Sequence, residues 1–248
     1  MKKLLFILGL SVLTFNIYAQ KNTNSIPDTI ESGFYSVKIG NLTTEGYFEN
    51  YLQSGNWLTY FQSGQIQKLE QFKEGKRNGI YMVINRRGYI EEQAEYLNGE
   101  LSGRKLRFGS GGKVLADEQY KNGLLDGKKT VYYDRGGIVQ EESKYINGLK
   151  DGTTKWYNSE GKLIAEYNYK KGEFEGPKKN YYDNDSLRNE QDFHNNIPAG
   201  YFKEYYRNGQ LKIKGYYKEG FKEGEWIEYS EDGQETKNAI YKKGEKVK

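Results

Sequence analysis

Cysteine is absent from the 248 residues. That excludes a disulfide framework, a thiolate metal site and a lipid-modified cysteine anchor. Histidine occurs once, as His194. An imidazole-based metal site or proton relay would need partners that this sequence lacks, so a solvated loop position accounts for it. There is little excess of either charge. The formal net charge is +4, and it falls to +2 without Lys2 and Lys3. Acidic and basic residues are interspersed, which argues against the basic stripe of a nucleic-acid-binding protein. Hydrophobic residues make up only 35%, too few for one large closed core.

Motifs that imitate catalytic chemistry fail on spacing. Gly123 and Gly127 enclose three residues before Lys128-Lys129-Thr130, whereas a phosphate-binding loop needs four. Asp183-Asn184-Asp185 lacks the later Gly and Glu of a calcium loop. The pairs Glu91-Glu92 and Glu141-Glu142 are chain neighbours, which point to opposite faces of a strand. No Ser sits in a nucleophile elbow. No catalytic residue, metal ligand or cofactor site is therefore assigned, and the expectation is a non-enzyme.

One long apolar run is present, Leu4 to Phe15, after Met1-Lys2-Lys3 and before Asn16-Ile17-Tyr18-Ala19. This is the layout of a signal peptide over residues 1–19, with cleavage expected near Ala19-Gln20. Twelve residues reach about 18 Å as a helix, short of the ~30 Å hydrocarbon core. The mature chain is expected to be exported, periplasmic or secreted. Residues 20–32 read as a disordered lead-in, and residues 33–47 as a capping hairpin with a turn at Gly40-Asn41.

What the chain has in quantity is Gly, at 30 residues, and Tyr, at 24, in a fixed order. Gly55, Gly79, Gly103, Gly127, Gly152, Gly176, Gly200 and Gly224 recur every 24 residues, with one interval of 25. Five residues after them stand Tyr60, Ile84, Phe108, Tyr132, Tyr157, Tyr181, Tyr205 and Tyr229. Nine residues after them stand Gly64, Gly88, Gly112, Gly136, Gly161, Asp185, Gly209 and Gly233. Such a period marks a repeat architecture. Eight units are read at 48–71, 72–95, 96–119, 120–144, 145–168, 169–192, 193–216 and 217–240, with a terminal cap strand at 241–248.

Turn signals every 10 to 14 residues leave runs of about six, which suit strands. Triplets such as Asp134-Arg135-Gly136 and Arg207-Asn208-Gly209 suit a three-residue hairpin loop ending in a left-handed residue. The spacing predicts an all-β fold: an elongated, single-layer antiparallel meander of tandem 24-residue β-hairpins. The extra residue of the fourth unit is placed near Ser143-Lys144, which puts Ile138 in the apolar column after the loop. Counting by twos then sets Tyr132, Ile138 and Tyr145 on one face as an apolar stripe. The segment Asn122 to Gly127 is read as the link between hairpins, with Gly at both ends. Alternation sends Trp57, Phe61, Tyr133, Trp156, Tyr182, Tyr206 and Trp226 to the other face. They are candidate partner-binding aromatics, against the alternative that they stiffen the sheet by cross-strand packing.

The segments YKNGLLDGKKTVYYDRGG, from Tyr120, and FHNNIPAGYFKEYYRNGQL, from Phe193, resemble the MORN repeat. They are most similar to the bacterial variant found in antitoxin-like proteins. The resemblance runs from about residue 48 to the C-terminus and departs from the family pattern at Lys105, Lys129, Thr154 and Lys178, where an aromatic is usual. It implies tandem hairpins used for protein contacts, or in some members for phospholipid contacts. Together these readings predict an exported, non-enzymatic scaffold for a protein partner, in an antitoxin- or immunity-like role. The alternative is binding to an anionic lipid surface at the cell envelope. Carbohydrate binding or glycan hydrolysis comes third, and would need facing carboxylates about 5 to 10 Å apart.

Overall fold

The computed structural model describes residues 30–135 and 137–248. The leader with its cleavage point, most of the lead-in, and Gly136 lie outside the described residues. The elements are β1 (Gly33–Ile39), β2 (Leu42–Glu49), β3 (Leu52–Phe61), β4 (Ile66–Lys73), β5 (Lys76–Ile84), β6 (Ile90–Leu97), β7 (Glu100–Phe108), β8 (Val114–Lys121), β9 (Leu124–Tyr132), β10 (Val139–Ile146), β11 (Leu149–Lys150), β12 (Gly152–Tyr157), β13 (Leu163–Lys170), β14 (Glu173–Tyr181), β15 (Leu187–His194), β16 (Ile197–Tyr205), β17 (Leu211–Lys218), β18 (Phe221–Tyr229), β19 (Glu235–Lys242) and β20 (Glu245–Lys246). Each strand pairs antiparallel with the next, except that β11 and β12 both pair with β10. The result is one continuous sheet of twenty strands among the described residues. Its only helical piece there is the 3-10 turn Ser110–Gly112. The chain is all-β, a meander of tandem hairpins.

Two turns alternate along it. The first is the three-residue loop. At Gln62-Ser63-Gly64 the amide of Phe61 donates to Gln65 O at 2.9 Å, and the amide of Gly64 donates back to Phe61 O at 2.9 Å. Gly64 has φ +83° and Asp185, in the same column, φ +66°, so the left-handed residue sits where the spacing predicts it. The second turn corrects the expected long link. Between β8 and β9 it is only Asn122-Gly123, with φ +50° and +76°. Two consecutive left-handed residues define the tight hairpin turn that matches strand twist. Leu124 already begins β9.

Gly127 therefore lies inside a strand. Tyr120 pairs with Leu125 and Glu118 with Lys129, so three residues of β9 face one of β8. This is a β-bulge, and Gly127 occupies it with φ +124°. Seven of the eight repeated glycines lie inside strands, where the spacing alone has them opening strands; Gly152 does open β12. A bulge demands a conformation that glycine alone adopts freely.

The fourth unit brings a second correction. Its extra residue sits in the hairpin loop, because the amide of Tyr133 reaches Ile138 O at 2.9 Å. The partner of Tyr132 is Val139, and Ile138 is not in the column. A loop absorbs an inserted residue at little cost, whereas a strand would lose its register.

Each unit carries a further bulge just after the loop. Tyr60 pairs with Ile66 but Thr59 with Lys68, leaving Gln67 extra. That residue reverses the count by twos. Tyr132 and Tyr145 therefore fall on opposite faces, and the expected common stripe does not form. Tyr145 and its equivalents share a face with Trp57 and Trp226.

Among the described residues no closed core holds this sheet together. A small cluster of Tyr35, Val37, Phe48 and Trp57, backed by Ile30, Ile39 and Phe72, seals the N-terminal end. Along the middle units burial falls on small residues such as Ala94, Ala116 and Ala165, and at the C-terminal end on Trp226 and Ile227.

Candidate binding surface

One face carries a continuous middle row, which we call the groove face. Cross-strand register links Trp57, Glu70, Tyr81, Ala94, Lys105, Glu118, Lys129 and Ser143. It continues through Thr154, Tyr167, Lys178, Gln191, Phe202 and Gly215, and then Trp226 and Ala239. Aromatics hold the ends of this row and charges hold its middle.

At the N-terminal end Trp57 lies over Gly46, where a Cβ would come within 2.4 Å of the indole. Trp57 meets Phe48 edge-on at 5.1 Å and donates Nε1–H to Tyr47 O at 3.2 Å. The C-terminal end repeats the device. Trp226 covers Gly215, stacks on Phe202 at 5.6 Å, and meets Tyr217 edge-on at 5.1 Å. In both cases a bare glycine lets a large ring lie flat across the neighbouring strand.

The middle units replace these rings with ion pairs. Glu70 is buried and is held by Lys68 at 2.6 Å and Arg77 at 2.8 Å. Lys105 pairs with Glu92 at 3.1 Å, Lys129 with Glu118 at 3.2 Å, and Lys150 with Glu141 at 2.8 Å. The Tyr120 hydroxyl donates to Glu118 at 3.2 Å. Burial, and then the adjacent carboxylate, pushes that phenol up to about 12. The same two causes push the phenol of Tyr205, hydrogen-bonded to Glu190, up to about 12.

The opposite face has its own order. Over β10 to β16 its middle row alternates in sign: Glu142, Lys155, Glu166, Lys179, Glu190, Lys203. Opposite charges directly across strands stabilise a pairing register. Toward the N-terminus the same row is apolar, with Leu58, Leu69 and Met82 in register.

The seven candidate aromatics all lie on the groove face, and none of them is exposed. Trp57 and Trp226 are buried at 2% and 6% exposure. Tyr133, Tyr182 and Tyr206 each donate a hydroxyl to a carbonyl of the next hairpin, at Tyr157, Tyr205 and Tyr229, at 2.9, 2.9 and 2.8 Å. Trp156 packs on Tyr167 at 4.7 Å and carries the Lys150 ammonium at 5.0 Å. Phe61 lies under the Arg86 guanidinium at 5.6 Å. These rings tie unit to unit. The candidate structural tyrosines, Tyr60, Tyr132, Tyr157, Tyr181, Tyr205 and Tyr229, stand half-buried on the opposite face.

Two hollows lie on the groove face toward its C-terminal end, and of the seven candidate aromatics Trp226 lines one of them. One cavity of about 270 Å³ is lined by Lys178, Asn180, Asn189, Gln191, Phe193, Pro198, Phe202 and Tyr217. A second, of about 240 Å³, adjoins it through Phe202 and Tyr217 and adds Glu204, Ile213, Lys222, Trp226, Glu228, Lys237, Ala239 and Tyr241. Sequence reasoning marks Lys178 as a departure from the repeat but does not connect it with Lys222, which sits in another column of a unit two repeats on. Among the described residues no group of three or more His, Asp or Glu side chains is placed to hold a metal ion. His194 ends β15, where a loop is expected from the sequence, and stands exposed with Nδ1 3.0 Å from Glu175.

These hairpins correspond to known units. A family model described as MORN repeat variant matches residues 53–74, 150–171 and 199–219. Three segments of the chain are thus similar to MORN repeats. Each matched MORN segment starts one or two residues before a bulge glycine and stops at the first residue of the next two-residue turn. It thus frames one hairpin. MORN repeats are generally non-catalytic modules that bind proteins or membrane lipids. No curated protein matches the chain.

Proposed function

We propose that this chain is an exported, non-enzymatic scaffold that holds a protein partner on its groove face. The observation that carries the reading is the pair of adjoining cavities on that face, walled by Phe193, Pro198, Phe202 and Tyr217. Side chains of this kind anchor protein partners. The rest of the middle row is filled by its own rings and ion pairs. Export rests on the leader pattern of residues 1–19, and the antitoxin- or immunity-like role on the resemblance alone. In that role the partner is a toxin acting at the envelope or outside the cell.

The test is site-specific photocrosslinking in the intact producing cell. A photoreactive residue replaces Pro198 in the groove, or Lys179 on the opposite face. We expect a discrete protein adduct from position 198 and none from position 179, in the envelope or secreted fraction. Adducts from 179 only, or from neither position, would reject the reading. Pelleting of the chain with anionic vesicles at moderate salt would instead favour the lipid-binding alternative.

A further inference from the structure

Lysines of the groove face fall into two classes. Lys68, Lys105, Lys129 and Lys150 each hold a carboxylate. Lys178 and Lys222 have no ion pair among the described residues. Their ammonium groups rest on aromatic rings. Lys178 Nζ is 4.3 Å from the Tyr167 ring centre, 4.8 Å from Phe174 and 5.6 Å from Phe193. Lys222 Nζ is 4.0 Å from Trp226 and 5.1 Å from Tyr241. Each lines one of the two adjoining cavities. The carboxylates there, Glu204 and Glu228, are already held by Lys212 and Lys237 at 2.7 and 2.8 Å. The hollow therefore keeps two uncompensated positive charges, fixed by rings at its two ends.

Cation–π contact orients an ammonium without neutralising it, so both charges remain open to an anion. Lys178 is on β14 and Lys222 on β18, four strand spacings apart, or about 19 Å. The surface between them is apolar, formed by Phe193, Pro198 and Phe202. Among the described residues, buried Gln191 Oε1, an acceptor, and buried Trp226 Nε1, a donor, have no hydrogen-bond partner.

We propose that the groove between Lys178 and Lys222 binds an extended acidic segment of a protein, with one carboxylate at each lysine and apolar or aromatic side chains between. The proposal rests on the scaffold reading above. An extended chain advances about 3.3 Å per residue, so the two carboxylates stand about six residues apart. A membrane presents its anions on a plane, whereas these half-buried ammonium groups lie against rings on the cavity walls, which favours an inserted chain.

The probe is a capped, fluorescent peptide of sequence Glu-Ala-Tyr-Ala-Tyr-Ala-Glu, in which Glu and Tyr share one face of the extended chain, titrated against the full chain by anisotropy at low salt. Its twin carries Gln in place of both Glu. We expect the Glu peptide to bind about tenfold or more tighter than its twin. Lys178→Gln with Lys222→Gln should remove that advantage, and Lys178→Arg with Lys222→Arg should keep it. Circular dichroism of the variants confirms folding. Equal binding of the two peptides, no binding of either, or an unchanged advantage in the Gln variant would overturn the proposal. So would lysine-dependent binding of phosphatidylglycerol vesicles with none of the peptide. If the position-198 crosslink persists in the Gln variant, the scaffold reading survives and the acidic-segment proposal fails.

Discussion

Two glycines show how differently the same residue type can act. Gly209 is left-handed, at φ +86°, and a Cβ on it would meet nothing within 4 Å. Alanine there costs backbone strain alone, about 1 kcal/mol. Gly215 is not left-handed, and a Cβ on it would meet the Trp226 ring at 2.2 Å. Alanine there must push the indole off Phe202 and Tyr217, an overpacking cost of about 2–3 kcal/mol. We expect Gly215→Ala to lower stability more than Gly209→Ala in urea unfolding, with a loss of near-ultraviolet circular dichroism from Trp226. A larger loss for Gly209→Ala would show that backbone conformation, and not ring coverage, sets the role of this glycine.

Hairpins are joined side to side by repeated tyrosine hydroxyls, each with its own carbonyl acceptor. Tyr182 bonds to the carbonyl of Tyr205, and Tyr206 to that of Tyr229. Removal of one such hydroxyl costs about 1 kcal/mol. Tyr182→Phe and Tyr206→Phe should each lower stability by that amount. The double variant should lose the sum to within ~0.5 kcal/mol, because the joints share no partner. Strong non-additivity would mean that the units are coupled beyond their shared edges. At this scale the sequence is readable where one residue meets one demand. The left-handed residue of the three-residue loop is legible at Gly64, Gly209 and even Asp185, since few residues tolerate that conformation. A bulge leaves no comparable mark. Gly127 looks the same in sequence whether it ends a loop or bends a strand, which hides both the Asn122-Gly123 turn and the true facing of Tyr145. The charged hollow is further out of reach, because the rings that seat Lys178 come from three strands, β13, β14 and β15. A repeat alignment compares equivalent positions and does not show which positions meet.

Among the described residues every pairing joins strands adjacent in sequence, except that β12 pairs with β10 past the two-residue β11. Stability is then close to a sum of unit and interface terms. Removal of residues 96–119 would join Glu95 to Tyr120, so one anchor aromatic replaces another, and Asn122-Gly123 takes the place of Asn98-Gly99 in the tight turn. The strand directions are preserved and the groove around Lys178 is untouched. We expect this variant to fold, with the same circular dichroism per residue and an unfolding m-value lower by about one-eighth. Removal of residues 108–119 alone takes out a single strand and leaves every later hairpin running the wrong way. That variant should fail to fold over its C-terminal half, as hydrogen exchange would report. If both deletions fold equally well, the units are not the interchangeable blocks that the register implies. If neither folds, the sheet depends on contacts longer in range than its neighbour-to-neighbour ladder.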